Sequence, residues 1–160
     1  MVKENLAKVE KNIIAACERA GRKPDDVTLI AVSKTKPVEM IEEAIEYGKK
    51  EFGENKAQEM KQKYETLPKD LKWHFIGHLQ TNKVKYVVGR ACLIHSVDSV
   101  HLAEAIEKES EKKNVISDIL IEVNVAGEES KFGLKTDETE ELIRTIAKFP
   151  HLRIKGLMTI

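Results

Sequence analysis

The chain reads as an α/β protein built on a parallel sheet, with a (β/α) TIM-type barrel as the natural architecture. Three observations predict it. Short β-branched apolar runs alternate with helix-period segments, no hairpin signal joins two runs, and polar residues recur just past the C-terminal ends of the runs. No Gly-x-Gly-x-x-Gly motif opens a helix and no Walker-type phosphate loop occurs, so the two commonest nucleotide-binding versions of this class lack support.

Leu6, Val9, Ile13, Ala16 and Ala20 share one helical face over 3–20, and Gly21 supplies the stop. The apolar run 27–34 predicts the first strand, ended by Thr35-Lys36-Pro37. Pro37 suits the first turn of a second helix, whose Met40, Ile41, Ala44 and Ile45 form its apolar side until Gly48. A short strand at 51–53, a helix over 55–65, a strand at 73–76, a helix over 80–88 and a strand at 92–95 follow. A long helix carries Leu102, Ala105, Ile106 and Glu109. It leads to a strand at 118–124, a helix with Leu142, Ile143, Ile146 and Ala147, and a sixth strand over 152–158.

A closed barrel of this kind takes eight strands in about 250 residues. Six strands in 160 residues therefore predict a single domain over 1–160 that is an incomplete barrel, truncated at its C-terminal end. Such a piece exposes strand edges and apolar interior, which predicts poor stability or self-association in isolation. A complete six-strand open sheet is compatible with composition alone.

Hydrophobic residues make up 41% of the chain and charged residues 34%, which argues against disorder, and 27 basic residues balance 27 acidic ones. That balance offers no bulk attraction to nucleic acid or to an anionic membrane. No apolar stretch approaches the length of a bilayer span, and Lys3 and Glu4 open a periodic polar pattern that contains no apolar leader core. Cys17 and Cys92 match neither a disulfide framework nor a metal knuckle. The expectation is a cytoplasmic protein.

Lys34 is the most informative residue, a lone amine at the end of an apolar strand. In a partly desolvated pocket an amine loses its proton readily and becomes the nucleophile that forms Schiff bases with carbonyl compounds. Read alone, it fits a rim lysine that turns into solvent at least as well. Lys36, beyond the strand, reads as solvated. If the strands are parallel, their C-terminal ends share one face and bring together Lys34, Glu54 with Asn55, Gly77 with His78, Ser96 with Asp98, Asn124, and Met158 with Thr159. That convergence predicts a pocket. Each polar member also has a bland role, Asn55, Ser96 and Asp98 as helix caps and Asn124 as a turn brace.

The loop 126–135 carries Gly127, Glu128, Glu129, Ser130, Lys131 and Gly133. Lys131 is either a second cation for an anionic ligand or phosphate, or a solvated loop residue. Lys61 with Lys63 and Lys83 with Lys85 read as solvated helix surface. His74-Phe75-Ile76-Gly77-His78 lacks the glutamate of a zinc-protease helix and leaves a strand for a loop, so His74 reads as a packed or rim histidine and no metal is expected. No Gly-x-Ser-x-Gly elbow supports a serine hydrolase.

Ala31-Val32-Ser33-Lys34-Thr35-Lys36-Pro37, Phe52-Gly53-Glu54-Asn55, Trp73-His74-Phe75-Ile76-Gly77-His78-Leu79-Gln80-Thr81-Asn82-Lys83 and Gly156-Leu157-Met158 occur in that order. Over essentially its whole length the chain thereby resembles the pyridoxal phosphate homeostasis protein family, also called the YggS or proline synthase co-transcribed family. The resemblance implies a barrel like the N-terminal domain of alanine racemase, with pyridoxal 5′-phosphate as cofactor, held as a Schiff base on Lys34. The residues expected around that cofactor are those of the shared strand-end rim, Asn55, His78, Ser96, Asn124 and Met158, and more weakly Lys131 from the loop. It implies a carrier or regulator of the free cofactor without catalytic turnover, monomeric when full length, with amino acids or apoenzymes that use the cofactor as further partners. Family members continue for about two more strands, as the eight-strand count demands, and those strands carry a Ser/Gly-rich phosphate cradle and an arginine.

Two alternatives compete. A racemase using the same cofactor would need a second base opposite Lys34, typically a tyrosine from another domain, whereas Tyr47, Tyr64 and Tyr86 fall in or beside helices. An α/β domain that binds partners and no ligand is the other.

Overall fold

Six strands form one sheet in the computed structural model, which describes residues 1–129 and 131–160; Ser130 of the loop lies outside them. The strands β1 (Ala31–Val32), β2 (Glu51–Glu54), β3 (Lys72–Phe75), β4 (Ala91–Val97), β5 (Ser117–Glu122) and β6 (Leu152–Met158) lie side by side in chain order. Every neighbouring pair is parallel. A doubly wound sheet reverses its order at a switch point and so carries helices on both faces. An order without reversal lets every right-handed crossover cover the same face, as in the wall of a (β/α) barrel.

The crossovers contain α2 (Val38–Glu46), α3 (Ala57–Thr66), α4 (Val84–Val87), α5 (Val100–Lys113) and α6 (Thr139–Ile146), and α1 (Val2–Ala20) precedes the sheet. Phe52 and Trp73 pair in register with ring centroids 5.6 Å apart. Phe75, Ile94, Ile119 and Ile121 continue that layer against Met60, Val87, Ile106 and Ile146 from the helices, all of them buried. Full burial of each large side chain contributes about 1.5–3 kcal/mol, which makes this layer the main support of the sheet.

The period of two turns Glu51 and His74 to the opposite face. There His74 Nε2 lies 3.0 Å from Glu51 Oε1, and His74 Nδ1 lies 2.9 Å from His95 Nε2. His74 is packed, as its strand position predicts.

Some expected elements differ, among them β5, which ends at Glu122 and not at Asn124. The first strand spans Ala31–Val32 and not 27–34: its register starts at Ala31↔Phe52, and β2 has only Glu51 before that point, so the earlier residues have no strand to pair with. The helix expected over 80–88 is a 3₁₀ turn at Thr81–Lys83 followed by the single turn of α4, after which Gly89 takes φ 84°. β4 runs on to Val97, two residues beyond the expected end. The cap of α5 is accordingly Ser99, whose hydroxyl accepts the Leu102 N–H at 3.1 Å, and neither Ser96 nor Asp98 takes that role.

Candidate functional site

Parallel pairing gathers the strand exits on one rim. The ladder continues past the strands themselves, with the Ser33 N–H donating to the Gly53 carbonyl and the Ile76 N–H to the Glu54 carbonyl, each at 2.9 Å. Lys34, Asn55 and Gly77 therefore leave adjacent strands, at a spacing of roughly 4.8 Å. A Cβ at position 77 would lie 2.3 Å from the Asn55 carbonyl oxygen, so the close approach of these two exits requires glycine.

Beyond the rim lies a cavity of about 380 Å³. Asn55, Ile76, Gly77 and His78 form one wall, Glu122, Val123 and Asn124 another, and Met158, Ile160, Lys131 and Phe132 complete it. The rings of His78 and Phe132 stack with centroids 4.0 Å apart and planes 12° from parallel. Five of the residues expected around a ligand, Asn55, His78, Asn124, Lys131 and Met158, thus share one cavity. Burial, reinforced by the charge of Asp98, pushes the Glu122 carboxyl above its usual range. Lys131 brings a positive charge to the same cavity.

The loop that contributes Lys131 and Phe132 is tied to the sheet. Asn124 Oδ1 accepts the Gly127 N–H at 3.1 Å, and Asn124 Nδ2 donates to the Glu128 carbonyl at 2.6 Å. Asn124 is both a turn brace and a lining residue. At the other end Asp98 accepts the Gly133 N–H at 3.3 Å, and a Cβ on Gly133, at φ 113°, would come within 2.8 Å of the Asn124 nitrogen.

Lys34 is exposed, on the turn after β1, and the cavity lining does not include it. Neither does the lining include Ser96. Because β4 extends to Val97, Ser96 lies inside the strand instead of at its end, buried, with no hydrogen-bond partner for its hydroxyl among the described residues. Glu54 also turns away from the cavity. It is fully buried beneath the Lys34 turn, where its Oε1 accepts bonds from the Ser33 hydroxyl at 2.7 Å and from Lys63.

Lys63 is not the solvated surface residue expected from its basic neighbours. It is 6% exposed, and its ammonium reaches Glu54 Oε1 at 2.5 Å, the Ser33 carbonyl at 2.7 Å and Glu59 Oε1 at 2.8 Å. The sequence held a signal for this. Ala57, Met60 and Lys63 recur at a spacing of three and form the buried face of α3. Burial raises the Glu54 carboxyl above its usual range despite the bonds from Lys63 and Ser33. Burial acts the same way on Glu59, but hydrogen bonds from Lys63 and from the Thr35 N–H outweigh it and leave that carboxyl lowered.

A family model described as alanine racemase, N-terminal domain, matches residues 5–160. A pyridoxal phosphate homeostasis protein of Aquifex aeolicus is 49% identical over 158 residues, covering 98% of this chain and 69% of the relative. The chain belongs to the pyridoxal phosphate homeostasis protein family. The Escherichia coli protein of that name is 39% identical over 163 residues, covering 99% of this chain and 70% of its own. Among solved structures, PipY of Synechococcus elongatus, with PLP bound, superposes with a TM-score of 0.82 at 31% identity, over 100% of this chain and 70% of PipY. The parallel, sequentially ordered sheet is thus that of the alanine racemase N-terminal domain family.

Proposed function

We propose that this chain binds pyridoxal 5′-phosphate at the C-terminal rim of its sheet, as a Schiff base on Lys34, and serves homeostasis of that cofactor without catalytic turnover. The single observation that carries the assignment is the gathering of Asn55, His78, Asn124, Lys131 and Met158 in one cavity, beside the strand exit that bears Lys34.

The residues fit the group. A volume of about 380 Å³ lies within the range of small-molecule sites. The cofactor's chemistry is that of an aldehyde that accepts a primary amine. Lys34 would supply the amine, the stacked His78 and Phe132 rings a flat aromatic wall, Asn55 an amide partner for ring substituents, and Lys131 a positive charge for the phosphate.

A racemase would call for a tyrosine opposite Lys34, and no tyrosine is among the described residues that line the cavity. The Tyr47 hydroxyl donates to Glu10 at 3.0 Å, Tyr64 carries Lys69 and Arg90 over its ring, and Tyr86 carries Lys83 and Lys85. All three tyrosines belong to the helical layer, away from the cavity lining. Amino acids or apoenzymes that take up the cofactor are the partners this role calls for. Cytoplasmic placement is supported by two free cysteines, Cys17 and Cys92. No helix among the described residues is long and apolar enough to cross a membrane. Titrating the protein with pyridoxal phosphate while following visible absorbance tests the assignment: saturable binding that Lys34→Ala removes is expected, and unchanged binding by that variant would overturn it.

A further inference from the structure

The exposed turn of Lys34 rests on buried charge. An ammonium carries three N–H donors, and Lys63 directs them at three acceptors: the Ser33 carbonyl, Glu54 Oε1 and Glu59 Oε1. Through these, both residues that flank Lys34 are fastened. Ser33 is gripped at its carbonyl by Lys63 and at its hydroxyl by Glu54. Thr35 is gripped at its N–H, which donates to Glu59 Oε1 at 2.6 Å.

Thr35 also occupies the left-handed region at φ 61°, uncommon for a residue that is not glycine and costly unless the surroundings enforce it. Its hydroxyl donates to the Lys34 carbonyl at 2.6 Å, which fixes the peptide on the far side of Lys34 as well. The third donor of the buried ammonium falls on the Ser33 carbonyl and so ties the charge cluster to the chain beside Lys34, and a turn left to itself would relax Thr35 toward negative φ.

We propose that Lys63 is a positioning residue for Lys34: by holding Ser33 directly and Thr35 through Glu59, it sets the backbone from which the Lys34 amine reaches the rim. This rests on the assignment of Lys34 as the covalent anchor. It also bears on the choice between two nearby amines, since the Lys36 N–H donates to the same Ser33 carbonyl at 3.0 Å and the turn that carries both lysines thus closes on an atom Lys63 holds.

The test reduces the pyridoxal-phosphate-loaded full-length protein with borohydride and follows, by peptide mass, the rate and site of labelling. In Lys63→Met the labelling of Lys34 is expected to slow by about tenfold or more, as misorientation of a reacting group does, with label spreading to Lys36. Lys63→Arg, which keeps the charge and donors, should recover most of the selectivity. Glu59→Ala removes the Thr35 tether at a half-buried position; should Lys63→Met fail to fold, Glu59→Ala must show the same spread of label. Unchanged rate and site in folded Lys63→Met, or in Glu59→Ala where that is the variant that folds, would overturn the proposal. Absence of label on Lys34 in the unsubstituted protein would instead remove the anchor assignment on which it stands.

Discussion

His74 Nδ1 lies 2.9 Å from His95 Nε2 on the sheet face opposite the apolar layer, and Glu51 closes the chain on the other side of His74. Burial, with the charge of His74 acting in the same direction, lowers His95 from its ordinary 6.5 to about 4. The unfolded chain therefore takes up this proton at a higher pH than the folded one. Stability from His95 is complete above about 6.5 and declines as pH falls toward 4. At about 1.4 kcal/mol per unit, the loss is on the order of 3 kcal/mol by pH 4. Urea unfolding from pH 7 to pH 4 should show that decline in the unsubstituted protein and a flatter profile in His95→Gln.

Gly77 admits the Asn55 backbone where any Cβ would collide with it. Gly77→Ala must separate the two strand exits, at a cost of about 1–3 kcal/mol, as overpacking typically does. Affinity for pyridoxal phosphate should fall with it, because Asn55 and His78 flank the displaced segment. Urea midpoints and an absorbance titration report the two effects separately.

The stack of Phe132 on His78 is the aromatic contact between the loop after Asn124 and the rim. Such a pair contributes about 0.5–1.5 kcal/mol. Phe132→Ala should leave global stability nearly unchanged while hydrogen exchange quickens at the Asn124 and Leu134 amides, which bond across the loop's ends. Equal exchange in both proteins would show that the stack does not hold the loop.

Removing the Lys63 ammonium strands Glu54 without a counter-charge in the interior. Breaking a buried pair in this way costs about 3–5 kcal/mol, whereas replacing both partners with apolar groups is frequently neutral. Lys63→Met should thus lower the unfolding free energy by that amount, and Lys63→Met with Glu54→Leu should regain most of it. A double variant no more stable than the single would contradict a buried charge pair.

Much of this architecture was legible in the chain. Alternating periods gave the strand count, and the polar residue after each run marked the rim, because in a parallel sheet those ends must converge. Sequence periodicity overran at 27–30, where an apolar run finds no partner strand, and stopped short at β4, which carried Ser96 into the strand. Lys63 has the charge of a surface residue but the phase of a core one: its position three residues after Met60 marks the buried face of α3. The His74–His95 contact depends on pairing across a register shift between β3 and β4 and leaves no trace in either segment alone.

The most direct test of the central claim is the site of covalent attachment. Full-length protein loaded with pyridoxal phosphate, reduced with borohydride and digested, should carry the added mass on the peptide containing Lys34, with fragmentation assigning it to Lys34 and not to Lys36. Mass on Lys36 or Lys131, or on no lysine, would contradict the account.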